Sequence, residues 1–405
     1  MLGKVSGVGV RLAGVSPVLT HRHCVAHSCA LVASSAAQRT NKINDFRATV
    51  NGVYKLLKYS AARYERLRQL HAALDQSDFQ SLKEPCCVRW LSLSKATESI
   101  FANWPSLVLE LEVESARGNA TAKGLRNQIR RYNFVAIAAM LLDVLPVIDT
   151  LNRFFLRDYI SLASVRPRVL ITRGQLQDLR DNTGDKETHF CNAVRDNVYK
   201  GQRLDDVNER ARNTTRTDFI DCLTENLDQR FPAAELDVVA ALGKVFDIRR
   251  YPAAQDPQNY AEDAIAVLAV KFGQPAGDAP ALVAPDRLKT LFPQFKRSLQ
   301  LLGNLTLEEA CQHTILDFSD DLPDFATLAN IALAIPVSSV PCERGFSLQN
   351  RVKTYQCSRL SDCSVDNEML LTIEAPDYSS PQAEGFLLQA ARKFSEEKQR
   401  SNTHF

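Results

Sequence analysis

The chain has 405 residues, 45% of them hydrophobic, which is enough to bury a large core and to form two or three domains. Its 49 basic and 47 acidic residues give a net charge of +2, so any nucleic-acid surface must be local. Charges interrupt the apolar stretches well before the about twenty residues of a membrane span, and Lys4 and Arg11 argue against a signal peptide. We therefore expect a protein that is neither secreted nor inserted in a membrane.

The cysteines and histidines raise the question of a metal site. Ten cysteines are scattered without a regular framework, which predicts free thiols in a reducing compartment. Several histidines and cysteines cluster between residues 21 and 29, but a structural zinc site needs a second ligand pair about a dozen residues away, and none follows at that spacing. We predict a packed polar motif here and no metal.

Apolar residues spaced by three and four predict a mainly helical chain. Residues 44–81 are expected to form two helices joined near Ser60, and another helix follows Pro85 with Ser92 or Ser94 as its N-cap. Farther along, the chain continues as helices over residues 161–230 and then enters a proline-rich connector over residues 250–290. Later helices are predicted at residues 260–272, 288–302, 307–314, 363–373 and 386–398.

Two predictions concern local structure in the first half of the chain. Alternation through His23, Val25 and His27 indicates a short strand before a helix that starts at Cys29. Between two helices at residues 107–114 and 134–158, we expect a polar, basic turn. The second of these helices is apolar nearly all round, which predicts a central position in the core.

The stretch from Ile335 to Ser347 holds one carboxylate in a defined place. Pro336 ends an apolar run, Ser338 or Ser339 can cap a new helix, and Glu343 then lies near the positive end of the helix dipole. The basic residues that follow, with no acidic residue between them, are Arg344, Arg351, Lys353 and Arg359. A fixed carboxylate in a basic setting fits a nuclease-like metal site, and it equally fits an ordinary well-capped helix.

Three motifs carry a family resemblance. They are Cys24-Val25-Ala26-His27, Arg89-Trp90-Leu91-Ser92, and Ile335-Pro336-Val337-Ser338-Ser339 continued by Cys342-Glu343-Arg344-Gly345-Phe346-Ser347. With these motifs in this order, the chain resembles the hAT superfamily of DNA transposases, nearest to its domesticated or degenerate vertebrate branch. The resemblance covers nearly the whole chain, and its last motif resembles the C-terminal dimerisation region of that family.

The resemblance implies a mainly α fold with a partial RNase H-like α/β core that is interrupted by a large all-helical insertion domain. Residues 1–45, with Cys24 and His27, would be a remnant of the core. Residues 46–324, with Arg89 and Trp90, would be the insertion domain. The dimerisation region and the last core helix would occupy residues 325–375, and a C-terminal helix and tail residues 376–405.

The resemblance also bears on catalysis. The family uses two Asp and one Glu to bind two divalent cations, and Glu343 corresponds to the third acid. Both Asp positions and any N-terminal zinc finger would precede Met1. Two metals about 3.5–4 Å apart need several carboxylates, so we expect a non-catalytic protein without a cofactor, with Mg²⁺ implied only if the missing acids are present. The alternative is a fragment of an active transposase whose Asp residues lie upstream of this chain.

The expected function is therefore dimerisation, with a second copy or a related hAT-type protein as the partner. The predicted dimerisation residues are Leu333, Ile335, Phe346, Leu360, Met369 and Leu370. A further hypothesis is nucleic-acid binding through Arg344, Arg351, Lys353 and Arg359, with Arg89-Trp90 either stacking on an unpaired base or anchoring the core. We expect the protein in the nucleus, or otherwise in the cytoplasm.

Overall fold

The computed structural model describes residues 25–74, 79–85, 90–157, 160–252, 260–275, 279–335, 340–355 and 357–397. The chain divides into two compact units, Met1–Ser338 and Ser339–Phe405. The described helices of the first unit are α1 (Val25–Arg39), α2 (Asn41–Lys58), α3 (Ala61–Ala73), α4 (Trp90–Ala102), α5 (Trp104–Ala116), α6 (Ala120–Ile129), α7 (Tyr132–Phe155), α8 (Leu162–Asp181), α9 (Asp185–Ala193), α10 (Glu209–Arg230), α11 (Ala233–Phe246), α12 (Glu262–Phe272), α13 (Pro285–Leu301), α14 (Leu307–Asp317) and α15 (Pro323–Ala334), with a 3-10 turn at Ile248–Arg250. Those of the second unit are α16 (Val340–Val352), α17 (Asp362–Glu374) and α18 (Pro381–Glu397).

The predicted mainly helical fold is confirmed. Over the described ranges, the strands are one short antiparallel pair, β1 (Val198–Tyr199) and β2 (Gln202–Arg203). Lys200 and Gly201 connect them with φ values of 45° and 75°, and a tight hairpin with two central residues at positive φ favours glycine. The expectation of continuous helices over residues 161–230 is wrong at this hairpin. A partial RNase H-like core stays a prediction.

Helix α7 lies at the centre of the first unit, as its apolar sequence predicts. It packs against α4, α8, α9, α10 and α1, and most of its side chains from Phe134 to Phe155 are buried. Among the described helices, α7 is the one long and apolar enough to cross a bilayer, but 67% of its most apolar window is buried within the unit. This burial is what the central helix of a helical core requires.

Two local predictions are wrong for identifiable reasons. The expected basic turn between α5 and α7 contains helix α6, which begins where the Asn119 side chain accepts the Ala122 N–H at 3.1 Å. Its Ala122, Leu125 and Ile129 are buried at helical spacing, so a narrow apolar stripe outweighs the basic residues around it. The strand predicted through residues 23–27 is helical from Val25 onward, while His23 lies outside the described residues.

The helix after Pro85 also differs from its prediction. It begins at Trp90, so Ser92 and Ser94 lie inside α4 and do not cap it. Ser94 is buried and hydrogen-bonds to the buried carboxyl of Asp149 on α7, and burial raises the pKa of that carboxyl. Ser94 therefore links α4 to α7 and does not cap a helix. By contrast, the helix junction near Ser60 is confirmed, with Ser60 as the N-cap of α3.

Helices α8 and α11 approach closely at one glycine. A Cβ atom added to Gly243 of α11 would lie 2.3 Å from the backbone nitrogen of Ala163 in α8, closer than real Cβ contacts allow. Because the opposing atom belongs to the backbone, it cannot move aside as the end of a side chain would. Gly243 therefore sets the spacing between the two helices.

We predict that Gly243→Ala lowers the free energy of unfolding by about 1–3 kcal/mol, the usual cost of forcing an extra methyl into a packed interface. Gly174→Ala is the matched control, since Gly174 lies inside α8 with nothing within 4 Å of an added Cβ. That change should raise stability by about 0.5–1 kcal/mol through helix propensity. Urea titrations of both variants measure the difference, and equal effects would contradict the assigned close approach.

Candidate functional site

Helix α15 is fixed in the first unit by ring stacking and one buried carboxylate. The Phe325 ring stacks on the buried Phe295 ring of α13, with 4.1 Å between centroids. In the first turn, the Asp324 carboxylate accepts the backbone N–H of Ala284 at 2.9 Å and pairs with Arg287 at 2.7 Å. These contacts hold α15 from its N-terminal end, which determines where its last residues emerge.

The last residues of α15 reach the surface of the first unit. Leu333 is 40% exposed, and Ile335, just after the helix, is partly exposed. Ile335 lines a small apolar groove together with Ile331. Two of the side chains that the sequence predicts for dimerisation therefore belong to the first unit and are accessible to a partner.

The second unit has a small interior. Helices α16 and α17 pack together, and α17 starts where the Ser361 hydroxyl accepts the Ser364 N–H at 3.2 Å. Among its described side chains, the buried hydrophobic ones are Leu348, Val365 and Ala383. One leucine, one valine and one alanine make a core far smaller than an independently stable unit needs.

Many large apolar side chains of the second unit are exposed instead. On α17, Leu370 and Ile373 are each 60% exposed. Others are Phe346, Tyr355, Leu371, Tyr378, Phe386, Leu387, Leu388 and Phe394. Apolar surface on this scale is uncommon on a monomer and is typical of a surface that another protein covers.

The predicted dimerisation residues of the second unit divide into two groups. Phe346 and Leu370 are exposed, whereas Leu360 and Met369 are half-buried. The predicted helix at residues 386–398 is present as α18, but its exposed apolar side chains were not predicted. The consecutive apolar residues 386–388 were the available signal, because three in a row cannot all face one side of an isolated helix.

The four basic candidates for nucleic-acid contact are all exposed in the second unit. Arg344 and Arg351 lie on α16, and Lys353 and Arg359 follow it. Lys353 donates to the Asp362 carboxylate at 3.2 Å, so part of its charge is compensated within the unit.

The family motifs are only partly described. Glu343 and Trp90 lie in helices α16 and α4, and α16 begins at Val340 with Pro341 in its first turn, as predicted. The side chains of Glu343 and Trp90, like Cys24, Arg89 and the candidate capping serines 338 and 339, lie outside the described residues. His27 is exposed on α1. Across the part of the chain that the structure describes, no three His, Cys, Asp or Glu side chains are grouped so as to hold a metal ion.

A buried cluster of charged side chains in the first unit links neighbouring helices. Glu187 of α9 pairs with Arg212 and Arg216 of α10 at 3.4 and 3.5 Å. Burial raises the pKa of Glu187, although the two arginines favour its charged form. Asp143 of α7 accepts the backbone N–H groups of Lys186 and Glu187, both at 2.9 Å, at the start of α9. The cluster therefore joins α7, α9 and α10. The carboxylates of Glu187 and Asp143 both have partners within it.

One protein-family model matches part of this chain, and the matched part includes the exposed apolar residues Phe346 and Leu370. Residues 314–375 fit the family model of the hAT family C-terminal dimerisation region. The match runs from the end of α14 through α15 in the first unit, and through α16 and α17 in the second. It includes all six predicted dimerisation residues. The chain is therefore related to the hAT family of transposases and carries that family's dimerisation region.

Proposed function

We propose that this chain is a hAT transposase-derived protein that acts without catalysis, by joining two copies through its C-terminal region. The observation that carries the proposal is that the second unit buries little apolar surface and exposes much. Among its described residues, the buried apolar side chains are Leu348, Val365 and Ala383. The larger Leu370 and Ile373 side chains are exposed. The match of residues 314–375 to a dimerisation region supports the same conclusion.

The energetics favour an assembled state. Burying a leucine or isoleucine side chain is worth about 1.5–3 kcal/mol, so covering even part of the exposed surface of α17 and α18 contributes more than the small interior of the second unit. A two-fold axis would let each copy cover the apolar patch of the other, and two-fold dimers are the commonest homo-oligomers. A related hAT-type chain with the same apolar positions would fit as a heterodimer partner.

We predict that Leu370→Asp combined with Ile373→Asp converts the dimer to a monomer. The two side chains are three residues apart on α17 and exposed, so the change places two carboxylates in the contact and leaves the first unit intact. Light scattering after size exclusion, at micromolar concentration, measures the mass. The control is Leu301→Asp, because Leu301 is 88% exposed in the first unit and lies outside the matched region.

Loss of dimer in the double variant, with the control unchanged and helical circular dichroism retained in both, is the expected result. A wild-type chain that is strictly monomeric under the same conditions would overturn the proposal.

Catalytic inactivity is the second part of the proposal. It is supported by the single family acid found by motif match, Glu343, since two-metal chemistry needs several carboxylates at one site. We predict that the purified chain nicks supercoiled DNA in Mg²⁺ or Mn²⁺ no faster than its Glu343→Gln variant, measured by gel conversion of plasmid. Nicking that the substitution abolishes would contradict catalytic inactivity, because the chain itself would then supply a complete metal site around Glu343.

Nucleic-acid binding is a second candidate function, favoured by the exposure of Arg351 and Arg359 in the second unit. We predict that reversing both charges to Glu weakens binding to duplex DNA and flattens the salt dependence, by about 0.9 in log–log slope for each phosphate that the protein no longer neutralises. The matched control reverses two exposed lysines of the first unit, Lys123 and Lys289. Fluorescence anisotropy across a salt series gives both values, and equally weakened binding in both variants would remove this candidate.

The proposal extends to the organisation of the chain and to its location. We assign residues 1–45 to a remnant of an RNase H-like core and residues 46–324 to the all-helical insertion, on the basis of the family relationship. Strands paired in an experimental structure of residues 1–24 would agree with the first assignment. Descent from a DNA-acting family supports a nuclear location, which imaging of a tagged chain tests.

A further inference from the structure

An apolar groove crosses the surface of the first unit between α11, α12 and α15. Its deeper part, about 90 Å³, is lined mainly by Val238, Phe272, Ile331 and Ile335. A shallow extension of about 520 Å³ runs along α12 past Val267 and Val270. The two parts share lining residues on α11 and α12, so they form one continuous surface, which we call the α12 groove.

The α12 groove is open to solvent, and apolar side chains line it although polar residues are usual on a protein surface. Val270 is 72% exposed, and Val267 and Val238 are only half-buried. A lone exposed valine needs no explanation, but several apolar side chains lining one concave surface indicate a binding partner.

The position of the α12 groove links it to dimerisation. Ile331 and Ile335 belong to the matched region 314–375, whereas α11 and α12 precede it in the chain. The groove thus continues from the family's dimerisation region onto helices that the family match does not include. A surface that contacts a second copy through α15 would contact it through these helices as well.

We propose that the α12 groove receives the exposed face of α17 from a second copy of this chain. The inference rests on the proposed dimerisation and names the surface on which it occurs. Leu370 and Ile373 lie three residues apart and share one side of α17. A recess of about 90 Å³ accommodates about one such aliphatic side chain, and the shallow extension along α12 accommodates its neighbour.

One lysine on the groove can attract the charged residues of α17. The charged residues of α17 are all acidic: Asp362, Asp366, Glu368 and Glu374. Lys271 is exposed and lines both parts of the groove. Of the acids on the groove, Asp237 pairs with Arg166 at 2.6 Å, while Glu235 lines the deeper part. The acidic helix therefore meets this lysine, one carboxylate that Arg166 neutralises and the Glu235 carboxylate, so charge does not decide the pairing, which rests on apolar burial.

The pairing is also reciprocal. Each copy offers one α12 groove and one α17 face, so two copies can exchange both contacts about a two-fold axis. Such a dimer closes and leaves neither surface exposed, whereas a one-way contact would continue into a filament.

The first test places a charge in the groove. Val270→Asp changes a side chain that is 72% exposed, so it should fold normally, and the proposal predicts a dimer dissociation constant raised about tenfold or more. Val207→Asp is the matched control, a valine that is 42% exposed in the first unit and does not line the groove. Sedimentation equilibrium measures both constants.

The second test identifies the occupant. A photo-crosslinking benzoyl-phenylalanine at position 270 is introduced into the full chain, and equal amounts of ¹⁴N- and ¹⁵N-labelled protein are mixed, equilibrated and irradiated. The expected product joins position 270 to a peptide of α17 with mixed isotope labels, which requires two copies. Same-label products alone would assign the groove to the chain's own segment, and crosslinks elsewhere or none would also overturn the inference.

The outcomes separate this inference from the proposed function. If Val270→Asp dimerises as the wild type does while the Leu370 and Ile373 double variant is monomeric, dimerisation stands and the α12 groove is not its surface. A wild-type chain that is monomeric throughout would overturn both.

Discussion

The C-terminal unit of this protein presents more apolar surface than it can bury. Its described side chains place Leu348 and Val365 inside, while large residues on α16, α17 and α18 face outward. The hydrophobic effect acts on that surface whether or not the chain has a catalytic function. Association is the direct way to remove it from water, which is why dimerisation is the function best supported by physical argument.

The first unit has the opposite character. Helix α7 is buried along most of its length. The ion pairs of Glu187 and the hydrogen bonds that Asp143 accepts join the helices around it. A rigid helical body of this kind can present a surface at fixed geometry, because its close contacts, such as Gly243 against Ala163, leave little room for helices to slide. The α12 groove belongs to this rigid part, and α17 belongs to the unit with the small core.

Much of the fold could be predicted from the sequence because helical periodicity is a strong local signal. The junction at Ser60, the start of α16 and the central position of α7 followed from capping residues and apolar spacing. Helix α6 was missed because its charged residues obscured a narrow buried stripe. The short hairpin near Gly201 was missed because backbone conformations at positive φ are not visible in an apolar pattern.

The candidate site was less predictable, since exposure is a tertiary property. The sequence indicated apolar residues in the last third of the chain, but which of them face solvent depends on packing: Val365 is buried and Leu370, five residues later, is not. Sedimentation equilibrium of the unmodified chain tests the central claim most directly. A concentration-dependent rise to twice the mass of the chain is the predicted result, and a single species of monomer mass across the micromolar range would contradict it.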